Sequence, residues 1–293
     1  MKFANLTFDG IQMLALVDAV GERFWPLPEL VPEFSGDMIQ LVQDFDGLQA
    51  RLAPRGEGRP LAEATILAPL EQPRRNIFCV GKNYHEHAAE FSKSGFDSSA
   101  QAGEQAPQAP VVFTKPASAI IGPQAGIPAH RGVAEQLDYE AELAVVIGKA
   151  GRGISREQAF DHVFGYTIVN DFTARDLQKN HRQWFLGKSL DGFCPMGPYL
   201  VTADEVDGRN LDVKCWVNGE LRQDANTRDL IFDIPALIET LSAGITLQPG
   251  DIIATGTPAG VGIGFKPPRF VQPGDVIRIE IQGLGVLENP VVA

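Results

Sequence analysis

Along this chain, apolar and polar positions alternate over short stretches more often than they recur at helical spacing, so strands dominate the expected fold. At the start, residues 5–8 and 12–17 flank Asp9-Gly10, a dipeptide suited to the positive φ angles of a tight hairpin. The next pattern is helical: Met38, Leu41, Val42, Phe45, Leu48 and Leu52 recur on one face, behind Ser35 as a cap. That stripe would lie on the hairpin and form a small N-terminal α+β domain over residues 1–70. The Gly-, Pro- and Arg-rich stretch 54–60 reads as a linker, with the boundary near residue 70 and a second domain over 71–293.

In the second domain the pattern predicts strands over 77–80, 111–113, 142–147, 166–169, 213–217, 252–254 and 276–281. Asn218-Gly219 reads as a hairpin turn, and Gln-Pro-Gly-Asp at 248–251 and at 272–275 each introduce a β-branched run. Helices are few: Ser155 with Gln158 resembles a capping box, and 234–241 has helical apolar spacing. Neither recurs as a βαβ array would require, so the expected fold class is α+β and β-rich. The Ser-, Ala-, Gly- and Gln-rich stretch 92–108 can bury little and is expected to be mobile.

Composition narrows the function. In 293 residues, 25 Lys and Arg face 37 Asp and Glu, a net charge of -12 that argues against nucleic-acid and anionic-membrane partners. Cys79, Cys194 and Cys215 are widely spaced, with no CxxC, and read as small buried apolar side chains. No basic stretch precedes a long apolar run, so the expected location is the cytoplasm.

The chemistry concentrates in carboxylates. In LDYEAELAVVIGK, Glu140 and Glu142 lie two apart at the start of a strand pattern and so share a face. An isolated E-x-E is commonplace, but the strand pattern 166–169 runs into Asn170-Asp171 and delivers a third carboxylate. Three such groups held together repel one another unless a cation neutralises them. Oxygen-only ligation suits Mg²⁺ or Mn²⁺, and no histidine stands at a ligand spacing that would favour zinc.

Six stretches, NIFCVGKNYHEHAAE, VVFTKPASAIIGP, LDYEAELAVVIGK, VNDFTARDLQ, GKSLDGFCPMGP and ATGTPAGVG, occur in that order. Together they resemble the fumarylacetoacetate hydrolase family. The resemblance implies a mixed β-sandwich roll as catalytic domain, a homodimer, and a metal on Glu140, Glu142 and Asp171. It implies a catalytic His87–Glu90 pair on a short helix that folds over the ligand as a lid. Positions i and i+3 share a helix face, so Glu90 can orient the His87 imidazole. Lys188 matches the family's active-site lysine and Thr257 a residue that meets the substrate carboxylate. Within ARDLQ, Gln178 is the expected ligand contact, while Arg175 and Asp176 are expected to form a structural ion pair beside the Asp171 loop. His85, His130, His162 and His181 are read as surface or capping side chains.

After ARDLQK, fumarylacetoacetate hydrolases proper carry aromatic residues, whereas this chain has Asn180-His181-Arg182. That argues against fumarylacetoacetate as substrate and leaves Arg182 as a candidate for a second substrate carboxylate, or a solvent-facing residue. QWFLGKSLDGFCP is more similar to the bacterial subgroup of acylpyruvate hydrolases, diene-dioate isomerases and 2-oxo acid decarboxylases. The expected function is therefore Mg²⁺- or Mn²⁺-dependent cleavage of a C–C bond in an acylpyruvate-type 2,4-dioxo acid through a metal-bound enolate. Isomerisation of a 2-hydroxyhepta-2,4-diene-1,7-dioate, decarboxylation of oxaloacetate, and a non-catalytic 2-oxo acid binder are the alternatives.

Overall fold

A computed structural model describes residues 1–95 and 107–293. Most of the stretch expected to be mobile, residues 96–106, lies outside the described residues. The chain opens with the expected hairpin: β1 (Lys2–Phe8) and β2 (Ile11–Asp18) pair from Phe3↔Leu16 to Phe8↔Ile11, with φ of 49° at Asp9 and 76° at Gly10. β3 (Arg23–Pro26) extends this ribbon. Helix α1 (Met38–Leu48) follows and buries Met38, Ile39, Leu41 and Val42. Its cap is Asp37, which accepts the Gln40 N–H at 2.8 Å, and not Ser35, which lies two residues upstream of the N-cap position.

Downstream lie β4 (Ile77–Gly81), α2 (His85–Ser94), β5 (Val111–Lys115), β6 (Ala141–Ile147), β7 (Val163–Asn170), α3 (Arg175–Asn180) and α4 (Phe185–Lys188). Then come β8 (Cys194–Thr202), β9 (Asp212–Val217), β10 (Glu220–Asn226), α5 (Ile234–Ser242), β11 (Ile252–Ala254), β12 (Val276–Ile281) and β13 (Gly285–Val292). Every strand in the sequence pattern is present, and the fold is α+β and strand-rich. The pattern does not predict β8, because Pro195, Gly197 and Pro198 resemble breakers. Pro198 falls where pairing with β7 skips from Ile168↔Gly197 to Tyr166↔Val201, so no ladder donor is needed there. The expected capping box also differs: Ser155 precedes a 3-10 helix, Arg156–His162, and its side chain makes no cap bond. The Gln158 N–H reaches the Ser155 carbonyl at 3.1 Å instead.

The main sheet runs β3-β2-β1-β8-β7-β6-β11-β4-β5, with β1 bonded to β8 through Phe3↔Leu200. A second sheet runs β10-β9-β12-β13. In β6, Ala141, Leu143, Val145 and Ile147 enter a core shared with the second sheet, while Ala144 and Val146 enter one shared with α1. Covered on both faces, this strand is apolar without alternation, and all seven of its residues are buried. Its rigid central position fixes whatever stands at its ends. No helix among the described residues is long and apolar enough to cross a membrane.

Candidate active site

β6 and β7 pair with Ala141 opposite Asn170, so the residue before one strand lies beside the residue after the other. The Asp171 N–H donates to the Glu140 carbonyl at 2.8 Å, and the Asn170 side chain accepts the Glu140 N–H at 3.0 Å. Glu142, one pleat further along, shares the face of Glu140. All three carboxylates are buried, and one oxygen from each lies within 4.8 Å of the others. The strand pairing thus brings together the three acids that the sequence separates by up to thirty-one positions.

Cations surround this cluster unevenly. Lys188 Nζ stands 2.8 Å from Glu140 Oε2 and 2.6 Å from Asp171 Oδ2, while Lys115 Nζ stands 2.7 Å from Asp171 Oδ1. The Arg175 guanidinium lies 2.6 Å from Glu140 Oε1 and 2.9 Å from Asp138 Oδ2. Glu142 has no cation partner among the described residues; it accepts the Gly256 N–H at 2.9 Å. Burial opposes ionisation of Glu140, yet the charges of Lys188 and Arg175 outweigh it and hold this carboxyl at about 2. For Glu142 burial acts first, the charges of Asp171 and Glu140 add to it, and the carboxyl is pushed well above its ordinary range. Burial alone would lower Lys188, but Asp171 and Glu140 raise it, so it stays an ammonium.

This donor set fits a divalent cation. Its oxygens suit a hard ion, and Glu142 is an acid with no ion-pair partner among the described residues. The three cysteines are free and buried, with burial raising their thiols, so they stand as apolar residues.

Above the cluster, α2 carries His87 and Glu90. His87 Nδ1 lies 3.2 Å from Glu90 Oε2, which leaves Nε2 as the nitrogen free for other work. The Gly260 N–H donates to Glu90 Oε1 at 3.1 Å, tying the helix to the glycine loop after β11. His87, Glu140, Glu142, Gln178, Lys188 and Thr257 line one cavity of about 10 Å³, room for a single water. Lys82, Phe91, Phe113, Arg175 and Trp184 line it as well. The site is shut.

Arg182 is exposed and does not line the cavity. The expected Arg175–Asp176 pair is not formed. Arg175 is buried, and its charge is met by the equally buried Asp138 and Glu140; Asp176 instead accepts the N–H groups of Glu135 and Leu177. His85 and His181 are exposed, and His130 and His162 sit against the carbonyls of Asp191 and Lys149. Sequence reasoning missed Lys82, Lys115 and Asp138 as parts of the site. Their only signal is position: Lys82 and Lys115 fall in VGKNYHEH and VVFTKPAS, and Asp138 stands two residues before Glu140.

A buried acid trio roofed by a histidine-bearing helix, on a strand-rich roll, is an enzyme's constellation. Comparison with known proteins gives the class: residues 76–292 match the model for the fumarylacetoacetate (FAA) hydrolase C-terminal region. The chain belongs to the fumarylacetoacetate hydrolase family. It is 53% identical over 232 residues to oxaloacetate tautomerase YisK of Bacillus subtilis, covering 79% of this chain and 74% of that protein. Among solved structures, a fumarylacetoacetate hydrolase from Exiguobacterium antarcticum is 42% identical with a TM-score of 0.83, covering 100% of this chain and 99% of that one. Maleylpyruvate hydrolase from Sphingobium sp. SYK-6, solved in complex with manganese (II) ion and pyruvate, is 37% identical with a TM-score of 0.78, again covering 100% and 99%.

Proposed function

We propose that this enzyme interconverts the keto and enol forms of oxaloacetate or a similarly short 2-oxo dicarboxylate, with Mg²⁺ or Mn²⁺ on Glu140, Glu142 and Asp171. The observation that carries the reading is the 53% identity to an oxaloacetate tautomerase across four fifths of the chain. The lining agrees with it: Lys82 adds a cation to the cavity wall beside the acids that would hold the metal. When bound, the cation would polarise the 2-oxo group and acidify the neighbouring CH₂. His87, oriented through Nδ1 by Glu90, takes the C3 proton on Nε2. The C–H electron pair becomes the C2–C3 double bond, and negative charge develops on the C2 oxygen. Lys188, fixed as an ammonium, meets that charge. Return of the proton from His87 to this oxygen completes the enol, and the reverse sequence restores the ketone. Thr257 and Gln178, which line the cavity, would hold the substrate carboxylates.

Hydrolysis of a 2,4-dioxo acid is the second reading, favoured by the His87–Glu90 pair, which could equally activate water, and by the likeness to maleylpyruvate hydrolase. One experiment separates the two. With Mg²⁺ or Mn²⁺ present, enol absorbance of oxaloacetate is followed beside pyruvate release and cleavage of acetylpyruvate and fumarylpyruvate. The tautomerase reading expects faster enol–keto relaxation with total oxaloacetate conserved. Cleavage of the dioxo acids without any effect on relaxation would replace it by the hydrolase reading, and pyruvate from oxaloacetate would mark a decarboxylase.

A further inference from the structure

Asp138 takes no part in the chemistry above, yet four donors converge on its buried carboxylate. Oδ1 accepts the N–H groups of Gly262 at 2.6 Å and Tyr139 at 3.0 Å. Oδ2 accepts Ile263 N–H at 3.2 Å and Arg175 Nε at 2.9 Å. The remaining arms of the Arg175 fork are occupied too. One nitrogen lies 2.6 Å from Glu140 Oε1, and another donates to Gln178 Oε1 at 3.0 Å. A planar fork held at three points transmits orientation, because none of its arms can turn alone.

The same glycine loop seats the lid. Gly260 N–H holds Glu90, while the Tyr139 hydroxyl donates to the Gly260 carbonyl at 2.8 Å and fixes that peptide. A Cβ at Gly264 would stand 1.7 Å from Glu90 Oε1, so glycine there is what lets the lid carboxylate reach the loop. An unbroken path therefore runs from Glu140 through Arg175, Asp138 and residues 260–264 to Glu90 and His87.

We propose that Asp138 and Arg175 are positioning residues that couple the acid cluster to the lid, so that a cation on the cluster and docking of α2 on the glycine loop stabilise each other. The inference rests on the cation site proposed above. Its test follows Mn²⁺ binding by calorimetry and amide hydrogen exchange of α2 and residues 260–264 in the 293-residue chain. In the wild type, saturating Mn²⁺ is expected to slow exchange in both segments about tenfold. Asp138→Asn would place an NH₂ where donors already converge; it is expected to weaken Mn²⁺ binding about 10–100-fold, the usual range for a residue behind a metal ligand. At saturating Mn²⁺ it should also lose the slowing in α2. Arg175→Lys keeps the charge without the fork, is expected to behave alike, and carries the test if Asp138→Asn fails to fold. Mn²⁺-induced slowing preserved in a folded variant, or absent from a wild type that binds Mn²⁺, overturns the coupling alone. A wild type that binds no Mn²⁺ removes the cation site, and the proposed function with it.

Discussion

The floor of the site, at the ends of β6 and β7, is held by charge, whereas its roof, α2 with Trp184, is held by apolar packing and long hydrogen bonds. On the floor, Lys115, Lys188 and Arg175 lock Glu140 and Asp171 at 2.6–2.8 Å, while Glu142 has no ion-pair partner among the described residues. In the roof, Trp184 meets Phe91 and Phe113 edge to face, with ring centroids 5.8 and 5.3 Å away, while Glu90 holds the loop at 3.1 Å. Moving a buried ion away from its partner costs several kcal/mol, while an aromatic contact of this kind contributes about 0.5–1.5 kcal/mol beyond area burial. Widening of the narrow cavity therefore falls to the roof. On the proposed function, the floor would bind the cation and the roof would admit and deprotonate the substrate.

The largest effects should come from the floor. Glu142→Ala is expected to abolish dependence on Mg²⁺ or Mn²⁺ and to lower turnover roughly 10⁴-fold, the several kcal/mol that a cation supplies. Steady-state assays across a metal titration check this, and a fully active, metal-independent variant would refute the cluster. Next comes the reacting group of the roof. His87→Ala is expected to reduce turnover by roughly 10²–10⁴-fold while cation binding stays intact. A loss of turnover no larger than the loss of cation binding would mean that His87 serves the cation site and takes no proton.

A smaller effect tests the roof as the yielding wall. Trp184 lies so close to β4 that a Cβ on Gly81 would meet its ring at 2.3 Å. Trp184→Ala should open space there and shift selectivity toward longer 2-oxo acids by roughly 10–200-fold, measured as a ratio of kcat/KM values. Unchanged selectivity would place the yielding wall elsewhere.

The smallest effect is on pH dependence, and its sign follows from Glu142. Its folded-state pKa lies above the ordinary 4.5, so in metal-free protein its contribution stabilises the fold below that pH and is lost as pH rises through the raised value. Glu140 has the opposite sign: its contribution is lost as pH falls from 4.5 toward about 2. Metal-free Glu142→Gln should therefore melt above the wild type, by a margin in Tm that widens with pH above 4.5. A margin that shrinks with pH would contradict the assigned charge balance.

Much of the floor is legible in the sequence because local rules place it. E-x-E at a strand start fixes two acids on one face, and an aspartate at the end of the next strand joins them once the two strands pair. The roof's i, i+3 spacing is local as well. What stays hidden is compensation across long separations: Lys115 meets Asp171, and Arg175 meets Asp138, through tertiary packing alone. In sequence both cations look like surface residues, and nothing local marks them as buried. Strand β8 hides for a related reason, since the lapse in pairing that tolerates Pro198 belongs to its neighbour β7.

The central claim is that Glu140, Glu142 and Asp171 form one cation site in which Glu142 gives up a proton to the incoming ion. Titration calorimetry with Mn²⁺ in two buffers of different ionisation enthalpy, on wild type and Glu142→Gln, tests it most directly. Wild type is expected to bind one ion per chain with proton release below the raised Glu142 value, and Glu142→Gln to lose both binding and release. Equal Mn²⁺ affinity in the two proteins would contradict it.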